Sequence, residues 1–166
     1  VYEHYHFAST NGDPEAFKIL NARYRPEQKL ADYLNPDLTI NWTIRERWVL
    51  AYILSLIADK QLSEARTIAK QLLYLNIEQG YPNRYPTVNM MLSWIEFNLG
   101  NELLAYKIMN SALSQIDATG VVNGFIDDIP GIERMISKAL AKQKVAKPNH
   151  VHKLMALGYK AEPNAQ

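Results

Sequence analysis

The sequence contains no cysteine. This absence excludes a disulfide framework, a thiol nucleophile and a thiolate metal site. A chain without cysteine suits a reducing compartment, and we therefore expect a cytoplasmic protein.

Long hydrophobic runs are also absent. The longest apolar stretch, from Trp48 to Ala58, is well short of the roughly 18 residues that indicate a membrane-spanning helix. The residues from Val1 to Gly12 include acidic and histidine side chains, so they do not resemble a signal peptide. These features predict no membrane association.

The chain has no excess of charge of either sign, with 18 basic and 17 acidic residues and a net charge of +1. It therefore lacks the basic patch expected of a nucleic-acid-binding domain. No nucleophile elbow, P-loop, dinucleotide fingerprint or zinc motif occurs, so we predict neither catalysis nor a cofactor. The pairs His4 with His6 and His150 with His152 have a two-residue spacing that does not share a helix face, and we interpret them as surface residues that bind no metal.

What the sequence does contain is a repeat with a spacing of 40 residues. The segment from Arg45 to Gly80 aligns with the segment from Tyr85 to Gly120. The landmarks that coincide are Ala65 with Ala105, Ile68 with Ile108, Leu73 with Leu113, and Gly80 with Gly120. A repeat of about 34 to 47 residues built from helix pairs is typical of an α-solenoid.

Each copy predicts two helices joined by a tight turn. The predicted helices run from about Thr43 to Asp59, Ser63 to Gln79, Pro86 to Leu99 and Glu102 to Thr119. Ser63 and Asn101 are expected to be N-caps, while Gly80 and Gly120 occupy positions that favour a left-handed residue after a helix. The first helix is apolar on almost every side, which predicts burial on several faces.

The flanking segments complete the predicted architecture. Asp13 and Pro14 begin a helix, Pro26 begins another, and the earliest residues suggest a degenerate repeat. After Gly120 a structured loop or one extended segment leads to a capping helix over 131–144. We predict an all-α, TPR-like α-solenoid of antiparallel helix pairs with a C-terminal capping helix. Its repeat domain covers 1–147, and 148–166 form a short helix and a linker.

Several of these features resemble the helical effector domain of the large LuxR-type transcriptional regulators of the MalT class. The similarity covers Arg45 to Ile136. The corresponding elements are the Arg45-Glu46 start of a long helix, the turn with alanine at Lys60 to Ala65, the closing glycine at Gly80, and their second copy at Gly100 to Ala105 and Gly120.

The closing phrase is the most specific part of this resemblance. It consists of Gly120, the segment Phe125-Ile126-Asp127-Asp128 and the apolar helix from Ile132 to Leu140. The family more often has Asp-Glu-Gly where this chain has Asp127-Asp128-Ile129. We interpret the two aspartates as capping and loop residues, since a phospho-acceptor or metal site of this kind belongs to parallel α/β folds.

The resemblance implies a signal-sensing and protein-interaction domain. In the family a nucleotide-binding module precedes such a domain and a helix-turn-helix follows it. The partner would be a small-molecule effector or a regulatory protein, and DNA would be bound only through the missing C-terminal domain. A chain that starts at Val1 and ends in a polar tail is interpreted as a fragment, and its exposed solenoid end leaves homo-oligomerisation open. The alternative function is a peptide-binding TPR scaffold with no role in transcription.

The candidate binding residues lie on the first helix of each copy. Asn89, Ser93 and Glu96 have spacings of four and three, which place them on one stripe of an apolar helix. A carboxylate in such a helix requires a partner or a solvent-filled groove. The predicted effector-binding set is Arg45, Arg47, Tyr52, Asn89, Ser93, Trp94, Glu96 and Phe97. An alternative interpretation is a hydrogen-bond cluster that sets the register of the repeats, with the aromatic residues in the core.

Overall fold

A computed structural model describes residues 1–81, 85–119, 129–149, 151 and 152. Within these ranges the chain forms helices and connections and no strand, which confirms the all-α prediction. The helices are α1 Tyr2–Thr10, α2 Pro14–Tyr24, α3 Pro26–Tyr33, α4 Trp42–Ala58, α5 Leu62–Glu78, α6 Tyr85–Asn98, α7 Glu102–Thr119 and α8 Ile132–Ala141. None of the helices in the described residues is both long and apolar enough to cross a membrane.

The chain divides into two compact units, Val1–Pro82 and Asn83–Gln166. In the first unit, α4 is the central helix and packs against α1, α2, α3 and α5. Every residue from Val49 to Leu56 is buried. Burial on all sides follows from this central position, because neighbouring helices cover each face of α4.

In the second unit, α6 packs along α7 and also contacts α8. All residues from Met90 to Phe97 on α6 are buried. Helix α8 is amphipathic, and four of its apolar side chains are almost completely buried. They are Ile132, Met135, Ile136 and Ala139.

The turns that end the helices repeat one hydrogen-bond pattern. A residue with positive φ follows the helix end, at Lys60 (60°), Gly80 (72°) and Gly100 (86°). In each turn the next N–H bonds to the carbonyl five residues earlier, as in a Schellman motif. These bonds run from Gln61 to Leu56 at 2.8 Å, from Tyr81 to Asn76 at 2.9 Å and from Asn101 to Glu96 at 2.9 Å. The left-handed conformation predicted for Gly80 is thus confirmed, while Gly120 lies outside the described residues.

The predicted helix starts are correct in part. Asp13 accepts hydrogen bonds from the backbone of Glu15 and Ala16, both at 3.1 Å, which confirms it as an N-cap. Ser63 is not an N-cap, because α5 already begins at Leu62 and Gln61 occupies that position without a capping side chain. Asn101 directly precedes α7, and its carbonyl accepts the N–H of Ala105 at 2.9 Å.

Helix α8 is shorter than the predicted 131–144. Gly131 has φ 81° and lies before the helix as its N-cap, while Gln143 has φ 54° and lies beyond its end. The predicted closing phrase from Gly120 to Asp128, the end of the final helix and the linker over 158–166 lie outside the described residues.

Candidate functional site

The predicted polar stripe on α6 forms hydrogen bonds inside the second unit. Asn89 is half-buried, and its Nδ2 donates to Gln115 Oε1 on α7 at 3.0 Å. Its neighbours on the stripe, Ser93 and Glu96, are fully buried and also bond to groups of this unit. Because these bonds join α6 to α7 and to the turn between them, the stripe holds the helix pair together.

Glu96 is the buried carboxylate of the stripe, with a side chain only 1% exposed. Its Oε2 accepts a hydrogen bond from Asn101 Nδ2 at 2.7 Å. The main-chain N–H of Asn101 also bonds to the Glu96 carbonyl at 2.9 Å. Two bonds from one asparagine therefore fix the turn between α6 and α7, and they supply a partner that a buried carboxylate requires.

Ser93 has no exposed surface. Its Oγ donates to the Ala105 carbonyl at 2.7 Å and lies 3.2 Å from Met135 Sδ. A carbonyl oxygen and a thioether cannot remove the hydroxyl proton as a catalytic base would. The serine therefore connects α6 to α7 and α8 and is not activated as a nucleophile by these two neighbours.

Trp94 and Phe97 lie against α8. Their rings stack with centroids 5.9 Å apart, and each side chain is only 9% exposed. Gly131 lies so close to Trp94 that a Cβ added at this position would be 3.3 Å from the Trp94 ring. Lys138 Nζ lies 5.4 Å from the Phe97 ring centroid. These contacts place both aromatic rings under the capping helix.

An ionic cluster joins the start of α7 to the end of α8. Glu102 pairs with Lys138 and, at 2.5 Å, with Lys142. Hydrogen bonds from the two ammonium groups lower the pKa of the Glu102 carboxyl to about 2. This cluster was not predicted from the sequence. The signal that could have indicated it is the four-residue spacing of the two lysines, which places them on one helix face.

Arg45 is buried in the first unit, with 2% of its surface exposed. The guanidinium donates to Gln79 Oε1 at 2.6 Å, to the Asn35 carbonyl at 3.1 Å and to the Leu38 carbonyl at 3.0 Å, while Nε has no partner in the described residues. Gln79 is the C-cap of α5, where the helix dipole favours a cation. Hydrogen bonds of Arg45 thus link the connection between α3 and α4 to the end of α5.

Arg47 and Tyr52 have partners of their own in this unit. Arg47 Nη1 lies 2.8 Å from Glu3 Oε1, and its guanidinium carbon lies 5.3 Å from the Tyr2 ring centroid. The Tyr52 hydroxyl donates to Glu64 Oε1 at 3.4 Å. Burial and, to a lesser extent, the Glu64 and Glu27 carboxylates raise the pKa of the Tyr52 hydroxyl to about 12. That all eight predicted residues bind one effector stays a prediction.

The described residues contain no group of three histidine, aspartate or glutamate side chains that could hold a metal ion. The candidate residues form hydrogen bonds between helices, an ion pair and a stacked pair of rings. Comparison of the chain with protein-family models, with curated proteins and with solved structures finds no match in any of the three.

Proposed function

We propose that the chain is a TPR-like helical-repeat domain that binds a regulatory partner, and that it serves as the sensor of a LuxR-type transcriptional regulator. One observation carries the repeat part of this proposal. The turn over 56–65 and the turn over 96–105 have the same backbone hydrogen bonds at a spacing of 40 residues. Matching turns at equivalent positions of the two copies support a solenoid of helix pairs.

The contacts of the stripe favour a regulatory protein over a small polar effector. Asn89, Ser93 and Glu96 already have hydrogen-bond partners in their own unit. A small ligand that used these groups would have to replace bonds that are already made, at a net cost of about 1 kcal/mol for each bond that it left unmatched.

Exposed apolar side chains offer a protein partner more accessible contacts. On α5, Tyr74 and Ile77 are 62% and 51% exposed. On α7, Leu103 and Leu104 are 76% and 44% exposed. Neighbouring exposed apolar residues of this kind are typical of protein-interaction surfaces.

Two experiments test the proposal. Reading the intact gene beyond the codon for Gln166 would reveal a helix-turn-helix if the regulator assignment is correct. A stop codon or further helix pairs would instead support the alternative, a peptide-binding scaffold with no role in transcription.

The second experiment measures transcription from a reporter gene under the full-length regulator. Replacing both Tyr74 and Ile77 by serine should change reporter output without lowering the melting temperature, because both side chains are exposed. The matched control is Gln71→Ser, at an exposed polar position on the same helix. Equal reporter output from both variants and the natural protein would remove α5 from the proposed interaction surface.

A further inference from the structure

Trp48 on α4 is surrounded by aromatic rings from two other helices of the first unit. The ring of Tyr33 on α3 stacks on it, with centroids 5.6 Å apart and an interplanar angle of 13°. The ring of Tyr24 on α2 meets it nearly at a right angle, with centroids 6.0 Å apart and an angle of 83°. All three side chains are half-buried, so the rings are held in position and still reach solvent.

A cation of the chain already lies on the Trp48 ring. Lys29 Nζ is 4.2 Å from the Trp48 ring centroid. Other cations that lie over rings in the described residues are 5.3 or 5.4 Å from the ring centroids. Lys29 is an exposed residue, one helical turn before Tyr33 on α3. Its ammonium group therefore marks a position where the Trp48 ring favours positive charge, and the flexible side chain that carries it can move away.

Carboxylates near the rings add to this preference. Burial and, to a lesser extent, the Asp32 carboxylate raise the pKa of the Tyr33 hydroxyl. Tyr52 lies one turn beyond Trp48 on α4. Burial and, to a lesser extent, the Glu64 and Glu27 carboxylates raise its pKa as well. A carboxylate that disfavours a tyrosinate also favours a cation nearby, whereas burial, the larger cause of both shifts, disfavours charge of either sign.

We propose that the Trp48 ring, flanked by Tyr33 and Tyr24, forms a binding site for a methylated ammonium group, which Lys29 occupies when no ligand is bound. A primary ammonium such as that of Lys29 is strongly hydrated. A quaternary ammonium holds water less tightly and is the cation that aromatic cages recognise best. An external quaternary ammonium group should therefore displace Lys29 from the Trp48 ring.

The test follows the indole N–H signal of Trp48 by NMR while tetramethylammonium chloride is added at constant ionic strength. The Trp48 signal is assigned with Trp48→Phe, since Trp42 and Trp94 supply the other two indoles. We expect a saturable shift of the Trp48 signal with tetramethylammonium and none with the neutral tert-butanol of similar shape. No saturable shift, or an equal shift with tert-butanol, would overturn the proposal.

Variants of Lys29 test the displacement. Lys29→Gln removes the internal competitor and should lower the half-saturating tetramethylammonium concentration by roughly two- to fivefold, the size of an exposed cation–π interaction. Lys29→Arg keeps a cation on the ring and should leave that concentration close to that of the natural chain. Lys70→Gln removes one charge from the exposed face of α5 and is the matched control. Equal effects of Lys29→Gln and Lys70→Gln would contradict the displacement.

A second titration distinguishes two sources of a methylated ammonium group, a modified protein side chain and a small molecule. A peptide with a trimethyl-lysine side chain that half-saturates well below free choline would identify a protein ligand, and the reverse order would identify a small molecule. Either order supports the methylated-ammonium site, while failure of both probes to shift Trp48 rejects it. The site does not depend on the proposed regulator function, which is tested on the gene and its reporter.

Discussion

Ser93 Oγ on α6 lies 2.7 Å from the carbonyl oxygen of Ala105 on α7. This short distance from a side chain to a main chain is reached because residue 105 carries only a methyl group and has no exposed surface. A larger residue at 105 would separate the two helices and break the bond. The pair therefore defines how closely α6 and α7 pack in the second unit.

Ser93→Ala should lower the free energy of unfolding by about 1 kcal/mol, since it removes one buried hydrogen bond and leaves little empty space. Chemical denaturation followed by circular dichroism measures this loss. Ser111→Ala, at an exposed site on α7, is the control and should be neutral or slightly stabilising because alanine favours helices. Equal stability of the two variants would contradict a role for the Ser93 hydroxyl.

Arg45→Met should cost roughly 3 kcal/mol of unfolding free energy. It removes the donor from two carbonyls and from Gln79, and buried acceptors without a donor are costly. Arg45→Lys should recover only part of this loss, because one ammonium cannot reproduce the planar fork of the guanidinium. Urea denaturation measures both losses, with Arg134→Met at an exposed position as control. If Arg45→Lys is as stable as the natural chain, the fork geometry is unimportant.

Glu102→Gln should weaken the attachment of α8 in a pH-dependent way. The folded-state pKa of Glu102 is lowered from 4.5 to about 2, so its carboxylate stabilises the fold above pH 4.5 and this contribution is lost as the pH falls towards 2. The melting temperatures of the variant and the natural chain should differ at pH 7 and converge near pH 2. A constant difference over this range would show that ionisation of Glu102 does not stabilise α8.

Lys60→Gly and Gly100→Ala should have opposite effects at equivalent positions of two turns. Both positions have positive φ, at 60° and 86°. Glycine at 60 relieves a strained side-chain residue and should stabilise the chain by about 0.5 kcal/mol, while alanine at 100 should destabilise it by about 1 kcal/mol. Thermal unfolding measures both changes. The same sign for both variants would mean that φ does not control the stability of these turns.

Local features of the fold could be predicted from the sequence because neighbouring residues determine them. Asp13 caps α2 as expected, since a carboxylate reaches the next N–H groups of its own helix. Ser63 was predicted as a cap from its residue type alone, and the Lys60 turn instead starts α5 at Leu62. A left-handed conformation at lysine is uncommon, so the residue type gave no indication of it.

The partners of the candidate residues could not be predicted in the same way. The spacing placed Asn89, Ser93 and Glu96 on one stripe, but it did not reveal what each group bonds to. Gln115 lies 26 residues from Asn89, and Met135 lies 42 residues from Ser93. Contacts over such separations depend on how whole helices pack, and no local pattern encodes that.

By itself the sequence determined the helical class and the glycine at the end of α5, because these depend on side-chain periodicity and on the conformational freedom of single residues, and it predicts a 40-residue repeat. Only the tertiary structure decided that Glu102 pairs with Lys138 and Lys142, and that Lys29 lies on the Trp48 ring. An ion pair or a cation–ring contact forms where packing of the apolar faces brings the two side chains together. That packing minimises the exposed apolar area of a whole unit, so its outcome belongs to the folded chain and not to any one segment.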